Sequence, residues 1–102
     1  MELRILHVPD CPGLALLSER LAPLLATRPG IRVTRQVVRT EQEAQRAGMT
    51  GSPTLLAGGR DPFGRPGQRP SLSCRRYLDE HGRPGPAPAT AQLREFLGGP
   101  PA

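Results

Sequence analysis

Between residues 3 and 37 the apolar residues change period twice, and that change dictates a topology. Leu3, Ile5 and His7 alternate with Arg4, Leu6 and Val8, giving a short strand apolar on both sides for most of its length. A central strand of a covered sheet has this pattern. Leu14, Leu17, Leu21 and Leu24 then recur at helical spacing, and Ile31, Val33 and Val37 mark a second strand with Arg32, Thr34 and Gln36 opposite. Strand, helix, strand in that order forces a parallel pair joined by a right-handed crossover.

The junction between the first strand and the first helix carries Asp10-Cys11-Pro12. Asp10 is the expected N-cap, and Pro12 falls in the first turn, where its missing N–H costs nothing. A cysteine at a helix start lies against unpaired backbone N–H groups and the positive end of the helix dipole, both of which favour the thiolate. Pro23 is expected to kink the helix or end its regular part early, and Pro29-Gly30 closes it.

Thr40-Glu41-Gln42-Glu43 has the form of a capping box and opens a short second helix. Ala44, Ala47 and Met49 are its small apolar face, with Gly48 as C-terminal cap. Gly51-Ser52-Pro53-Thr54 leads into a strand over 53–57 that ends at Gly58-Gly59. The Ser52-Pro53 bond is expected to be cis, X-Pro being the one setting where that geometry is cheap. Ser71–Tyr77 is the expected hairpin partner of this strand, across a Pro-broken loop over 60–70, and Thr90 the expected cap of a last helix carrying Leu93, Phe96 and Leu97. The reading is therefore α/β, a four-stranded mixed sheet flanked by three helices in the order β-α-β-α-β-β-α. That order is thioredoxin-like. The expected organisation is one domain over 1–97 and a flexible tail over 98–102.

Composition narrows the function classes. The net charge is +5, but all fourteen basic residues are Arg and none is Lys, the mark of a GC-rich coding preference. They are scattered, and aromatic residues make up only 3 % of the chain, leaving little for base stacking. A solvated basic surface is expected rather than a nucleic-acid interface. No apolar run approaches the ~20 residues of a membrane span. Met1-Glu2-Leu3-Arg4 lacks a basic segment followed by a long apolar one, so a secretory signal is not expected. The expected compartment is the cytoplasm, where two cysteines point to reactive thiols rather than a structural staple.

Cys11 is the candidate nucleophile, yet the register reads Cys11-Pro12-Gly13-Leu14, and Leu14 cannot resolve a mixed disulfide. The other thiol of the chain is Cys74, within Ser71-Leu72-Ser73-Cys74-Arg75-Arg76-Tyr77. The alternation Leu72, Cys74, Arg76 leaves two readings open, a resolving thiol or a small buried strand residue. Pro12, Ser52 and Pro53 are the candidate substrate-binding residues, with residue 52 offering backbone groups to an extended peptide or a thiol ligand. His7 reads as a core or rim histidine with one backbone hydrogen bond, Asp10 as a cap, and Asp79 and His81 as loop residues facing solvent. Two Cys and two His at these separations match no structural zinc spacing. No phosphate loop, nucleophile elbow or carboxylate pair is present in the sequence, and no cofactor is expected.

At Cys11-Pro12, Gly51-Ser52-Pro53-Thr54, Asp61-Pro62-Phe63 and Pro70-Ser71-Leu72-Ser73-Cys74-Arg75-Arg76-Tyr77 the chain resembles a group of small thioredoxin-family proteins of GC-rich bacteria, some labelled alkylmercury lyase. The resemblance spans nearly the whole chain. It implies either thiol–disulfide exchange or redox sensing through Cys11, with Cys74 resolving, or mercury held by Cys11 and Cys74. Organomercurial lyases also use an acid three residues after the first cysteine. Leu14 stands at that position, so Asp10 would have to act from the other side. A third expectation is a non-catalytic thioredoxin-fold module whose Pro53 groove binds an extended segment. The expected partners are a protein or small-molecule thiol or disulfide, with neither nucleic acid nor membrane.

Overall fold

The computed structural model describes residues 1–98. The expected flexible tail falls almost wholly on residues 99–102, which lie outside the described residues.

Three strands form the main sheet, Arg32–Val37 and Thr54–Ala57 flanking Glu2–His7. β1 (Glu2–His7) lies in the middle, parallel to β2 (Arg32–Val37) and antiparallel to β4 (Thr54–Ala57). Side chains alternate across β1 as its pleat requires. Leu3 and Ile5 join Leu55 against Leu17, Leu21 and Leu24 of α1 (Pro12–Ala26) and Leu93 of α3 (Thr90–Phe96). Leu6 and Leu56 face the other way, onto Val38, Met49 and Ala44 of α2 (Glu41–Ala47). Helices therefore cover both faces. Each fully buried leucine contributes about 1.5–3 kcal/mol, so this aliphatic double layer is the main source of stability.

The Thr40 and Gly48 caps of α2 form as the sequence predicts: Thr40 Oγ1 accepts from Glu43 N–H at 3.1 Å, and Gly48 ends the helix at φ +86°. The other half of the capping box does not, because the Glu43 carboxylate accepts from Arg39 N–H at 3.2 Å, one residue before the Thr40 N–H that the motif uses. Elsewhere the local expectations need correction. Cys11 rather than Asp10 occupies the N-cap position of α1, while Asp10 adopts a left-handed φ of 57° in the turn before it. α1 runs through Pro23, which sits on its exposed face, to Ala26, so the proline does not end the helix as expected. At the end of β2, Val38 is buried and Val37 exposed, since the chain turns there toward the α2 layer. Thr90 begins α3 but does not cap it; the N–H of the preceding Ala89 donates to Gln92 Oε1 at 3.0 Å.

The expected four-stranded sheet is also corrected. The segment after the loop does not form a hairpin with β4. Instead β5 (Ser71–Cys74) runs parallel to β3 (Thr50–Ser52), with Thr50 opposite Ser71 and Ser52 opposite Cys74. Between these pairs Leu72 and Ser73 of β5 thus stand against Gly51 alone of β3, an irregularity after which Arg75 N–H donates to the Ser52 carbonyl at 3.0 Å. Two features hold the strand there. Gly51, at φ +125°, leaves room for Arg75, whose Cβ would lie 2.7 Å from any Cβ at position 51. Asp61 then anchors the Arg75 guanidinium at 2.6 Å. A further small pair, β6 (Tyr77–Leu78) and β7 (Pro84–Gly85), folds the expected Gly-Pro loop back onto the chain. Among the described residues no helix is long and apolar enough to cross a membrane.

Candidate functional site

Cys11 is buried, with 7 % of its surface exposed, at the point where the Val8-Pro9-Asp10 turn enters α1. Its side chain makes no capping bond to the helix, so the expected contact with helical N–H groups is replaced by another. The Ser52 hydroxyl donates to Cys11 Sγ at 3.0 Å. That hydroxyl oxygen itself accepts from Val8 N–H at 3.0 Å, which leaves its hydrogen to point at the sulfur. A hydroxyl donor to sulfur is stronger when the sulfur is ionised.

Ser52 is held in turn. Its carbonyl accepts from Arg75 N–H, and the peptide bond to Pro53 is cis, as the Ser-Pro position predicts. The Pro53 carbonyl accepts a short hydrogen bond from the Tyr77 hydroxyl. Burial pushes that hydroxyl well above the usual phenol range, against the opposing pull of the Arg75 cation, with the Asp61 and Cys11 charges adding to the rise. Tyr77 therefore stays a donor across the neutral range. Gly13, in the first turn of α1, packs where a Cβ would lie 2.7 Å from Pro53 Cδ and 2.4 Å from the Pro86 carbonyl. The helix start, Pro53 and the Pro86 loop thus meet at one point.

Behind Pro53 lies a polar cluster that composition conceals. Arg75 is buried, its guanidinium bonded to Asp61, to the Phe63 carbonyl at 2.8 Å and to the hydroxyls of Thr50 and Thr54, and stacked 4.6 Å from the Tyr77 ring centre. Phe63 meets Tyr77 edge to face at 5.7 Å. The Asp-Pro-Phe turn is fixed by Asp61 Oδ1 accepting from Phe63 N–H at 2.9 Å. The expectation of a solvated basic surface fails for this arginine. A lone acidic residue in the otherwise basic 60–70 loop was the available signal, and Gly51 beside Ser52 was a second.

Of the candidate site residues, the structure brings Cys11, Ser52 and Pro53 together and sets Cys74 across the ladder from Ser52. Adjacent strands run about 5 Å apart, so Cys74 Cα lies within about 10 Å of Cys11 Sγ. Both cysteines are free; Cys11 is buried and Cys74 exposed, so Cys74 is not the buried strand residue that its alternation allowed. Pro12 is exposed at the first helical position, beside Cys11. The expectation that residue 52 offers its backbone to a ligand is corrected at the carbonyl, which β5 already occupies. His7 Nδ1 lies 3.0 Å from the Val8 carbonyl, a satisfied histidine at the sheet rim. Asp79 caps its own turn: the N–H groups of Arg83 and then His81 hold its carboxyl below the usual carboxylate value. Among the described residues no three His, Cys, Asp or Glu side chains converge as a metal site.

No protein-family model, no curated protein and no solved structure matches the chain.

Proposed function

We propose that the chain is a thioredoxin-like thiol protein of the cytoplasm in which Cys11 and Cys74 form one dithiol–disulfide couple. The observation that carries this reading is the double role of Ser52. Its hydroxyl donates to the Cys11 sulfur, and its backbone faces Cys74 across the β3–β5 pair. The order strand, Cys helix, strand, helix, Pro-strand around a mixed sheet supports the thioredoxin-like reading of the scaffold.

The difference in exposure favours the reverse of the roles expected from sequence, in which Cys11 attacked and Cys74 resolved. Cys74 is the thiol that solvent reaches, so it meets the incoming disulfide, and Cys11, held by Ser52, closes the internal bond. Joining the sulfurs requires the two Cα atoms to stand within about 7 Å of one another. The groove-binding reading is weakened by β5, which fills the β3 edge that an extended partner would use.

A redox titration tests the proposal. Protein equilibrated in dithiol–disulfide buffers of graded potential and trapped by alkylation should follow a two-electron curve, about 30 mV per tenfold change. Cys11→Ser and Cys74→Ser should each abolish it. Thiols that stay free across the series, together with Hg(II) bound by two thiolates per chain, would transfer the site to soft-cation binding.

A further inference from the structure

Two clefts flank Arg76. The larger, about 370 Å³, is lined by Phe63, Tyr77, Gln68 and the arginines at 65, 75 and 76. The second, about 320 Å³, is lined by Cys74, Arg75, Arg76, Pro84, Gly85 and Pro86. Both fall at the small end of the range of small-molecule sites, about 300–1,000 Å³. They share the Arg75-Arg76 step, so a single ligand beside Cys74 can reach round Arg76 into the larger cleft.

The unspent polar groups there have one character. Arg75 is committed to Asp61 and Phe63, whereas Arg65 and Arg76 have no side-chain partner among the described residues. Gln68 accepts from Arg65 N–H through Oε1 at 2.7 Å, which leaves its amide N–H groups to donate. No carboxylate lines either cleft. Arginines therefore line both clefts, and no carboxylate stands in either to pair with a ligand's ammonium group.

Building on the redox-pair reading, we propose that the substrate is a low-molecular-weight disulfide bearing carboxylates, its sulfur entering beside Cys74 and its carboxylates lying on Arg76 and Arg65. An extended protein substrate cannot pair with β3 beside Pro53, because β5 occupies that edge. The exchange balances in two steps. The Cys74 thiolate attacks one sulfur of the disulfide, forming a mixed disulfide and releasing one small thiolate. The Cys11 thiolate then attacks Cys74 Sγ and releases the second. The two small thiolates take up the two protons that the cysteines lost.

The test uses Cys11→Ser protein, in which the mixed disulfide accumulates, and reads its rate of formation by quenched mass spectrometry. Oxidised glutathione is compared with the cationic disulfide cystamine, each normalised to its rate with the same protein unfolded in urea. The expected result at low salt is a preference of about tenfold or more for the anionic disulfide, shrinking as salt rises. Arg76→Gln and Arg65→Gln should each reduce it severalfold, while Arg94→Gln on α3 should change it less than about twofold. Equal rates for the two disulfides, or an equal effect of Arg94→Gln, would overturn the proposal. A mixed disulfide that forms with the expected preference but never closes in the unsubstituted protein would remove the redox pair and leave the ligand class standing.

Discussion

Tyr77 is the one tyrosine of a chain with no tryptophan, so phenolate absorbance near 295 nm reports a single site. Its hydroxyl donates to the Pro53 carbonyl, and burial holds its proton against solution base. The sign follows from the folded value standing above the unfolded one of 10.0. Below about pH 10 both states carry the proton and the contribution is complete. Above it the unfolded chain ionises while the folded one does not, so stability falls by about 1.4 kcal/mol for each further pH unit. Tyr77→Phe removes that dependence but leaves the Pro53 carbonyl buried without a donor, a cost of about 1–3 kcal/mol at neutral pH. The two stability curves should therefore converge about one to two units above pH 10. Urea denaturation at graded pH measures both curves, and the absorbance titration measures the proton directly. Phenolate appearing with a midpoint near pH 10, while circular dichroism remains native, would refute the account of Tyr77 as a buried donor.

Two further substitutions probe the scaffold around the site. Arg75→Ala strands the Asp61 carboxylate and empties the cluster behind Pro53, so a loss of about 3–5 kcal/mol in urea denaturation is expected, and a change under 1 kcal/mol would show the cluster to be incidental. Gly13→Ala drives a methyl group into the Pro86 carbonyl and Pro53, for an expected cost of about 1–3 kcal/mol. Gly30→Ala, with open space around it, should be neutral or stabilising by a few tenths to about 1 kcal/mol.

Local pattern made much of the frame legible. The period changes in 3–37 identify β1, α1 and β2 and their parallel pairing, and Thr40 with Glu43 and Gly48 bounds α2 within a residue. Ser52-Pro53 beside Cys11 was legible as well, because both stand at element junctions. The partner of β5 was not. A strand after a loop pairs by default with the strand before it, and what redirects 71–74 to β3 is tertiary: the gap at Gly51 and the Asp61 anchor on Arg75. The N-cap assignments failed for a related reason. Asp10 is spent on a left-handed turn, and the Cys11 side chain, at the cap position, turns to Ser52 instead of the helix. Scattered arginines gave no hint that one of fourteen would be buried, since burial of a charge depends on a partner fourteen residues away.

The central claim is that Cys11 and Cys74 belong to one site, joined through Ser52. The most direct measurement is peptide mapping by mass spectrometry after oxidation of dilute protein with a mild disulfide. The account predicts a monomer two hydrogens lighter, with the Cys11 and Cys74 peptides linked, and a fold stabilised by up to about 4 kcal/mol through closure of the long loop. Recovery of Cys11 as a free thiol, with Cys74 bonded only to reagent or to a second chain, would contradict it.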